Sequence, residues 1–266
     1  MNEYSPQVLS KMHPKDFRQI VREGKWKGIT NEACENYVQA NLAIVPKAYA
    51  FEFLLFCQRN PQPTSLLDVT EPGSIEPFKV APLADLRTDL PKYRVYRNGD
   101  LIDEPADVKK YWDNDLVAFL IGCSWSFDWA LKAAKVQFRM VGAYNSNIQC
   151  RPAGVFRGQM VVSARLFESS HDAMRAIQIS SRHPECHGVP VHIGNPDTIG
   201  IKDLSKPDVF KLVNGIPQKA NEIVMFWGCG VTPQTVAMEA KIPLMITHAP
   251  GHMFVTDRLV EEMAIL

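Results

Sequence analysis

The chain reads as α/β, with a mixed sheet, flanking helices and two closely packed lobes. Three observations predict this. Short apolar runs bounded by glycine, Val117 to Gly122 and Ile223 to Gly228, have the length and texture of strands buried on both faces. Stretches of helical period alternate with them, as in Ser126 to Leu131 and His171 to Ser181. A third run alternates and ends in Asn98-Gly99, a strong short hairpin turn. Residues 1–115 form a helical and α/β portion, and residues 116–266 an α/β portion carrying the motif-bearing strands.

Residues 1–60 are expected to be helical. Ser10 to Gly24 is an amphipathic helix stopped by Gly24. Thr30 caps a second helix running through Ala33 to about Leu42, and Pro46 opens a third through Phe56. Tyr49, Phe53 and Phe56 form a core stripe on that third helix. Asn60 to Pro91 is proline-rich, with Leu66 to Thr70 as a short strand. Tyr93 to Tyr96 and Leu101-Ile102 are the arms of the hairpin, and Asp107 to Trp112 is a short polar helix. Residues 136–166 are strands, and within Gln159 to Leu166 the polar Ser163 and Arg165 share a face at period two. His171 to Ser181 is a helix, Val189 to Ile193 a strand, and Ile199 to Leu204 a loop or strand. Leu244 to Asp257 reads as strand, tight Pro250-Gly251 turn, strand.

The stretch from Arg182 to Asp257 centres on Glu222 to Gln234, where an apolar run ends in Gly228-Cys229-Gly230 and Thr232-Pro233 follows. Thr232 suits a helix N-cap and Pro233 the first helical position, so Cys229 belongs in a tight loop between a buried strand and a helix. An earlier stretch repeats the arrangement: Gly122, Cys123, Ser126 and Asp128 fall opposite Gly228, Cys229, Thr232 and Gln234 at one constant offset. Two readings are open. Either two equivalent strand–Gly-Cys loop–helix units, an internal duplication, face one pocket, or glycine and serine merely follow buried strands.

At 266 residues the chain can bury one large or two small cores. Its 29 basic and 29 acidic residues balance without a basic block, so a nucleic-acid partner has no electrostatic footprint. Apolar runs fall well short of the ~20 residues needed to cross a bilayer. The start, Met1 to Pro6, has no charged-then-apolar leader pattern, so a cytoplasmic protein without membrane partner is expected. Six scattered cysteines with no C-x-x-C pair predict free thiols rather than disulfides or structural zinc. The oligomeric state, a homo-oligomer included, is left open.

The candidate site residues gather at strand ends and turns. His187, His192, His248 and His252 lie beside glycine and proline in the last third of the chain. They are either ligands of a divalent Mn or Mg ion or hydrogen-bonding histidines of a polar pocket, and no metal ligand set is assigned. Cys123 and Cys229 stand where a nucleophile could, and equally where a small buried residue fits a crowded turn. Ser124 and Ser126, with Asp128 following, make a helix start suited to cradling a carboxylate or phosphate, or one in which Asp128 is only a capping carboxylate favoured by the helix dipole. Arg165 on an apolar strand needs an anion, either a protein carboxylate or that of a substrate. Asn145 and Asn147 offer amides to a ligand or to a turn.

Five blocks together resemble the D-glutamate cyclase family, whose bacterial members are called hydro-lyases. They are Leu120 to Asp128; Gly158 to Ser163 with Arg165; His187 to Gly194; Phe226 to Gln234; and Ile246 to Met253 with Asp257. The resemblance spans roughly Ala33 to Asp257. It implies a lyase in amino-acid metabolism that closes D-glutamate to 5-oxo-D-proline with loss of water, or acts on a related small amino or hydroxy acid. The partner is then a small carboxylate. Under that resemblance Asp128, His187, His192, Cys229, His248 and His252 are candidates for the chemistry. Ser124, Ser126, Asn145, Asn147, Arg165, Gly230, Thr232 and Gln234 are candidates for holding substrate. The chain departs from the family pattern at Asp128 for Glu, Asn195 for Asp, and Ala164 and Leu166 for Met and Pro. Those departures keep open a second reading, a small-carboxylate-binding protein that has lost the chemistry; the histidine cluster keeps open a third, a metal-dependent hydrolase.

Overall fold

The computed structural model describes residues 4–211 and 218–265. The chain enters through α1 (Pro6–Ser10) and α2 (Pro14–Arg22), then β1 (Tyr37–Pro46), α3 (Lys47–Arg59) and β2 (Leu66–Val69). The hairpin β3 (Tyr93–Arg97) and β4 (Asp100–Asp103) precedes β5 (Leu116–Gly122), α4 (Ser124–Ala133), β6 (Arg139–Gln149) and β7 (Gln159–Phe167). The last third holds α5 (Ser170–Ser181), β8 (His192–Ile193), β9 (Phe210–Lys211), β10 (Ile223–Gly228), α6 (Thr232–Ala240), β11 (Met245–His248) and β12 (Phe254–Leu259).

The class is α/β with two sheets. One runs β2-β5-β1-β11-β3-β4 with β12 also on β1; the other runs β8-β10-β7-β6-β9. Every described ladder is antiparallel, so no mixing of strand directions is seen among the described residues. The sheets share their cores. Leu42, Ile44 and Leu120 of the first sheet pack with Phe127 and Leu131 of α4 and with Met225 and Trp227 of the second. Phe53 and Phe56 of α3 join Phe119, Val162 and Phe226 in another cluster, against which Tyr49 packs, so the expected aromatic stripe is core. All six cysteines are free thiols. No helix among the described residues is long and apolar enough to cross a membrane.

The largest correction falls on the helix expected from Thr30 to Leu42. Residues 37–46 are instead β1, whose interior is buried throughout. This strand pairs with β5 on one edge and with β11 and β12 on the other, and those ladders outweigh any local helical tendency. Residues 1–60 are therefore not all helical. The helix expected over Ser10 to Gly24 begins only at Pro14, where His13 caps by accepting from the Lys15 N–H. Only His192 and Ile193 of the expected Val189 to Ile193 strand join a ladder, at the edge of β10. Lys109–Tyr111 and Pro196–Ile199 are short 3-10 turns. The Pro250-Gly251 turn is present, but β11 and β12 pair with β1 rather than with each other.

Candidate functional site

Two strand ends build the site. β5 runs through Cys123 into α4, and β10 runs through Cys229, Gly230 and Val231 into α6. Gly122 stands opposite Ala40 of β1, and Gly228 opposite Val162 of β7. One residue back on each neighbouring strand, an N–H is accepted by a hydroxyl from the helix start. Gln39 donates to Ser126 Oγ at 3.0 Å, and Val161 to Thr232 Oγ1 at 3.0 Å. Two residues further along, the side chains cross over. Asp128 of α4 takes Arg165 from the other unit's sheet, and Gln234 of α6 takes Arg94 from the sheet of the first. Just past the two helices, at the same offset, Lys135 and Lys241 both take left-handed φ, 58° and 49°. The two units are geometrically equivalent, and they face one cavity.

That cavity, about 30 Å³, is walled in matching pairs: Asn41 of β1 with Ser163 of β7, Cys123 with Cys229, and Trp125 with Val231, while Ser124 lines it without a counterpart. Met140, Ala143, Phe210, Gly251 and Met253 complete it. Such a volume holds a water or two, not an amino acid. Glycine is required at two places. A Cβ on Gly230 would lie 2.0 Å from Asn41 Nδ2, and one on Gly122 would lie 1.7 Å from the Glu185 carbonyl oxygen. Both helices direct their N-termini at the cavity, and their partial positive ends favour negative charge there. The N–H groups of Ser124 and Gly230 have no acceptor among the described residues. Thr232 is not the N-cap expected of it: Val231 holds that place, and the Thr232 hydroxyl donates to the Cys229 carbonyl at 2.7 Å while accepting from Val161.

Arg165 and Asp128 answer each other. The guanidinium, fully buried, meets the carboxylate in a two-pronged pair, Nε to Oδ1 at 2.7 Å and Nη2 to Oδ2 at 2.8 Å. Phe127 and Trp227 flank it, with ring centroids 4.6 and 5.1 Å from Cζ. The protein carboxylate, not a substrate, is thus the anion that Arg165 binds. Its remaining N–H groups reach the Ser124 carbonyl at 3.3 Å and Ser163 Oγ at 3.3 Å. Ser163 Oγ in turn lies 3.4 Å from Ser124 Oγ. A chain of polar contacts therefore runs Arg165, Ser163, Ser124 and ends in the cavity.

The other expected residues divide. Burial pushes the Cys229 thiol up to about 11 and the Cys123 thiol well above its ordinary value, against a smaller opposing pull from the Val231 and Trp125 backbone. Both are thiols, not thiolates, at neutral pH. None of the four histidines lines the cavity. His187 donates from Nδ1 to the Gln62 carbonyl at 2.5 Å and is pushed down to about 4 by burial. His248 accepts the Leu42 N–H on Nδ1 at 3.2 Å, has no partner for Nε2, and burial holds it at about 3. His252, half-buried beside the Pro250 carbonyl, is also lowered by burial. His192 lies outside, against Asn195 O at 2.9 Å and Thr198 Oγ1 at 3.0 Å. Asn145 and Asn147 are exposed, bound to Asp208 and to the Thr198 carbonyl. Gln234 is buried, accepting from Arg94 at 2.9 Å and donating to the His248 carbonyl at 2.8 Å. Among the described residues no three of His, Cys, Asp and Glu come together to hold a metal ion. Asn41 was not anticipated, because its segment read as helix. A polar residue inside the apolar run Val38 to Val45 was the available signal.

Known proteins bear on this arrangement. A family model described as D-glutamate cyclase matches residues 117–257, which include both loops, Asp128 and Arg165 but not Asn41. The protein named "Putative hydro-lyase" of Geobacillus kaustophilus is 51% identical over 261 residues, 96% of this chain and 98% of its own length. A protein of the same name from Bacillus subtilis is 51% identical over 96% of this chain and 100% of its own. Among solved structures, a nitrogen repressor-like protein from Methanococcus jannaschii aligns over 93% of this chain and 99% of its own at 9% identity. Its TM-score is 0.39, a likeness that carries no argument.

Proposed function

The chain belongs to the D-glutamate cyclase family, and from that premise we propose that it is a hydro-lyase converting D-glutamate to 5-oxo-D-proline and water. One observation carries the reading: the chain of polar contacts from Arg165 through Ser163 and Ser124 ends where two helix N-termini meet.

The chemistry is proton-balanced. The substrate nitrogen attacks the side-chain carboxyl carbon, an N–C bond forms and a C–O bond breaks. The ammonium gives up two protons, and the departing oxygen takes up two to leave as water. Such a reaction needs a relay from nitrogen to oxygen, not a strong base or acid of the protein's own. Ser163 accepts from Arg165, and in the relay its own proton is turned to Ser124 Oγ. Ser124 then accepts from the substrate nitrogen and donates to the leaving oxygen. The tetrahedral oxyanion rests on the N–H groups of Ser124 and Gly230, one from each loop, where preorganised donors are worth several kcal/mol, about 3 for a single one. Cys123 and Cys229 fill the crowded turns as neutral thiols, and the buried neutral histidines shape the surrounding walls.

A binding protein without turnover is the second reading. Asp128 and Arg165 neutralise each other, which leaves no ionised base beside the cavity. Incubation with D- and L-glutamate, with and without Mn²⁺ or Mg²⁺, separates the two when 5-oxoproline is measured. D-specific product is expected. Saturable binding of glutamate with no product would favour the second reading.

A further inference from the structure

The cavity between the loops is too small for a five-carbon dicarboxylate, so the substrate must meet the protein somewhere larger first. A groove of about 390 Å³ lies directly beside it. The two share Trp125 and Met140 as walls. The partition they make is weakly held: the Trp125 indole N–H donates to Met140 Sδ at 3.1 Å, a poor acceptor. The groove's volume falls in the range of small-ligand sites.

Its charge is one-sided. Lys132 and Lys135 line it, both exposed, and neither has a carboxylate partner among the described residues. Asp128 is the acidic residue on its wall, and Arg165 already neutralises that carboxylate. The Lys132 ammonium lies 4.2 Å over the Trp129 ring, and Trp129, 8% exposed, has an indole N–H with no acceptor. The equivalent space at the end of α6 is filled. There the Asn98-Gly99 turn packs against the helix, with the Asn98 N–H on the Ile242 carbonyl at 3.0 Å. The groove therefore belongs to one unit only.

The geometry points to this groove as the docking site for a small dicarboxylate. Lys132 and Lys135 hold the distal carboxylate, and Trp125 swings off Met140 to admit the reacting end to the cavity. This rests on the hydro-lyase reading for its substrate, though the groove's preference for a dianion stands without turnover.

The test uses the full-length protein and glutarate, a five-carbon dicarboxylate that lacks the amine and cannot cyclise. Trp125 and Trp129 report binding by fluorescence. Wild type is expected to show a saturable change with glutarate and little with the monocarboxylate butyrate. The double reversal Lys132→Glu with Lys135→Glu is expected to weaken glutarate at least about tenfold. A matched reversal of Lys202 and Lys206, which line a different groove, leaves it unchanged. With D-glutamate, the Lys132/Lys135 double variant is expected to raise KM while kcat holds. Glutarate bound equally well by that variant would overturn the proposal. Lysine-dependent glutarate binding in a protein that makes no 5-oxoproline would leave the groove assigned and sink the cyclase reading.

Discussion

The loop after β5 and the loop after β10 share one scaffold and differ in charge. In the first, the helix residue that crosses to the other sheet is Asp128, paired with the fully buried Arg165; in the second it is Gln234, paired with Arg94, whose side chain is 30% exposed. The reason lies in the arginines. Arg94 already holds Glu104 at 2.9 Å, so a neutral amide completes its bonds. Among the described residues Arg165 has no other carboxylate, and a buried guanidinium without one would be very costly. The same position thus carries a charge only where burial demands it. The hydroxyl differs too, Ser124 in one loop against Gly230 at the same offset in the other. Equivalent folding positions the two loops, and the proposed relay rests on the differences between them.

The comparison breaks most visibly at the arginines. Arg165→Ala leaves Asp128 buried and unpaired and is expected to cost about 3–5 kcal/mol, read by urea unfolding. Arg94→Ala, partly exposed and partnered elsewhere, is expected to cost about 1 kcal/mol or less. Equal losses would mean that the crossing contacts do the same job in both units.

Activity separates the loops next. Ser124→Ala is expected to lower kcat about a hundredfold with little change in melting temperature. Cys229→Ser, which keeps a small polar group where no thiolate forms, is expected to change kcat less than about tenfold. A collapse with Cys229→Ser alone would restore the nucleophile that the burial of this thiol argues against.

Acid titrates the surroundings of both loops together. His187 and His248 are held neutral in the fold, at about 4 and about 3, below the ordinary value of 6.5. A depressed histidine stabilises fully above 6.5 and loses that contribution as pH falls towards its folded value. Between pH 7 and pH 5 the loss is roughly 2 kcal/mol per histidine. Urea unfolding at the two pH values measures it, and His187→Asn is expected to flatten the slope. A slope unchanged in that variant would remove His187 from the account. Gly230→Ala is expected to push Asn41 aside at a cost of about 1–3 kcal/mol, seen in the unfolding midpoint.

Much of this was legible in the residues. The constant offset between the Gly-Cys stretches raised two units at one pocket as one of two readings, because strand ends and helix starts leave a local signature, and the shared cavity decides between them. The need of Arg165 for an anion was legible as well, but not which anion. Asp128 lies on another element, and only the packing of α4 over the second sheet brings them together. Asn41 was hidden because β1 is stabilised by ladders on both edges, a property of distant strands that no window of sequence contains. The histidines drew attention through glycine and proline neighbours, yet burial spreads them around the cavity rather than into it.

The central claim is that both loops serve one proton relay ending at Ser124. Its most direct test is the rate of 5-oxoproline formation from D-glutamate, followed by proton NMR in wild type, Ser124→Ala and Ser163→Ala. The relay predicts D-specific product in wild type, near-complete loss in Ser124→Ala and a clear reduction in Ser163→Ala, with glutarate binding retained. Full activity in both serine variants would contradict it.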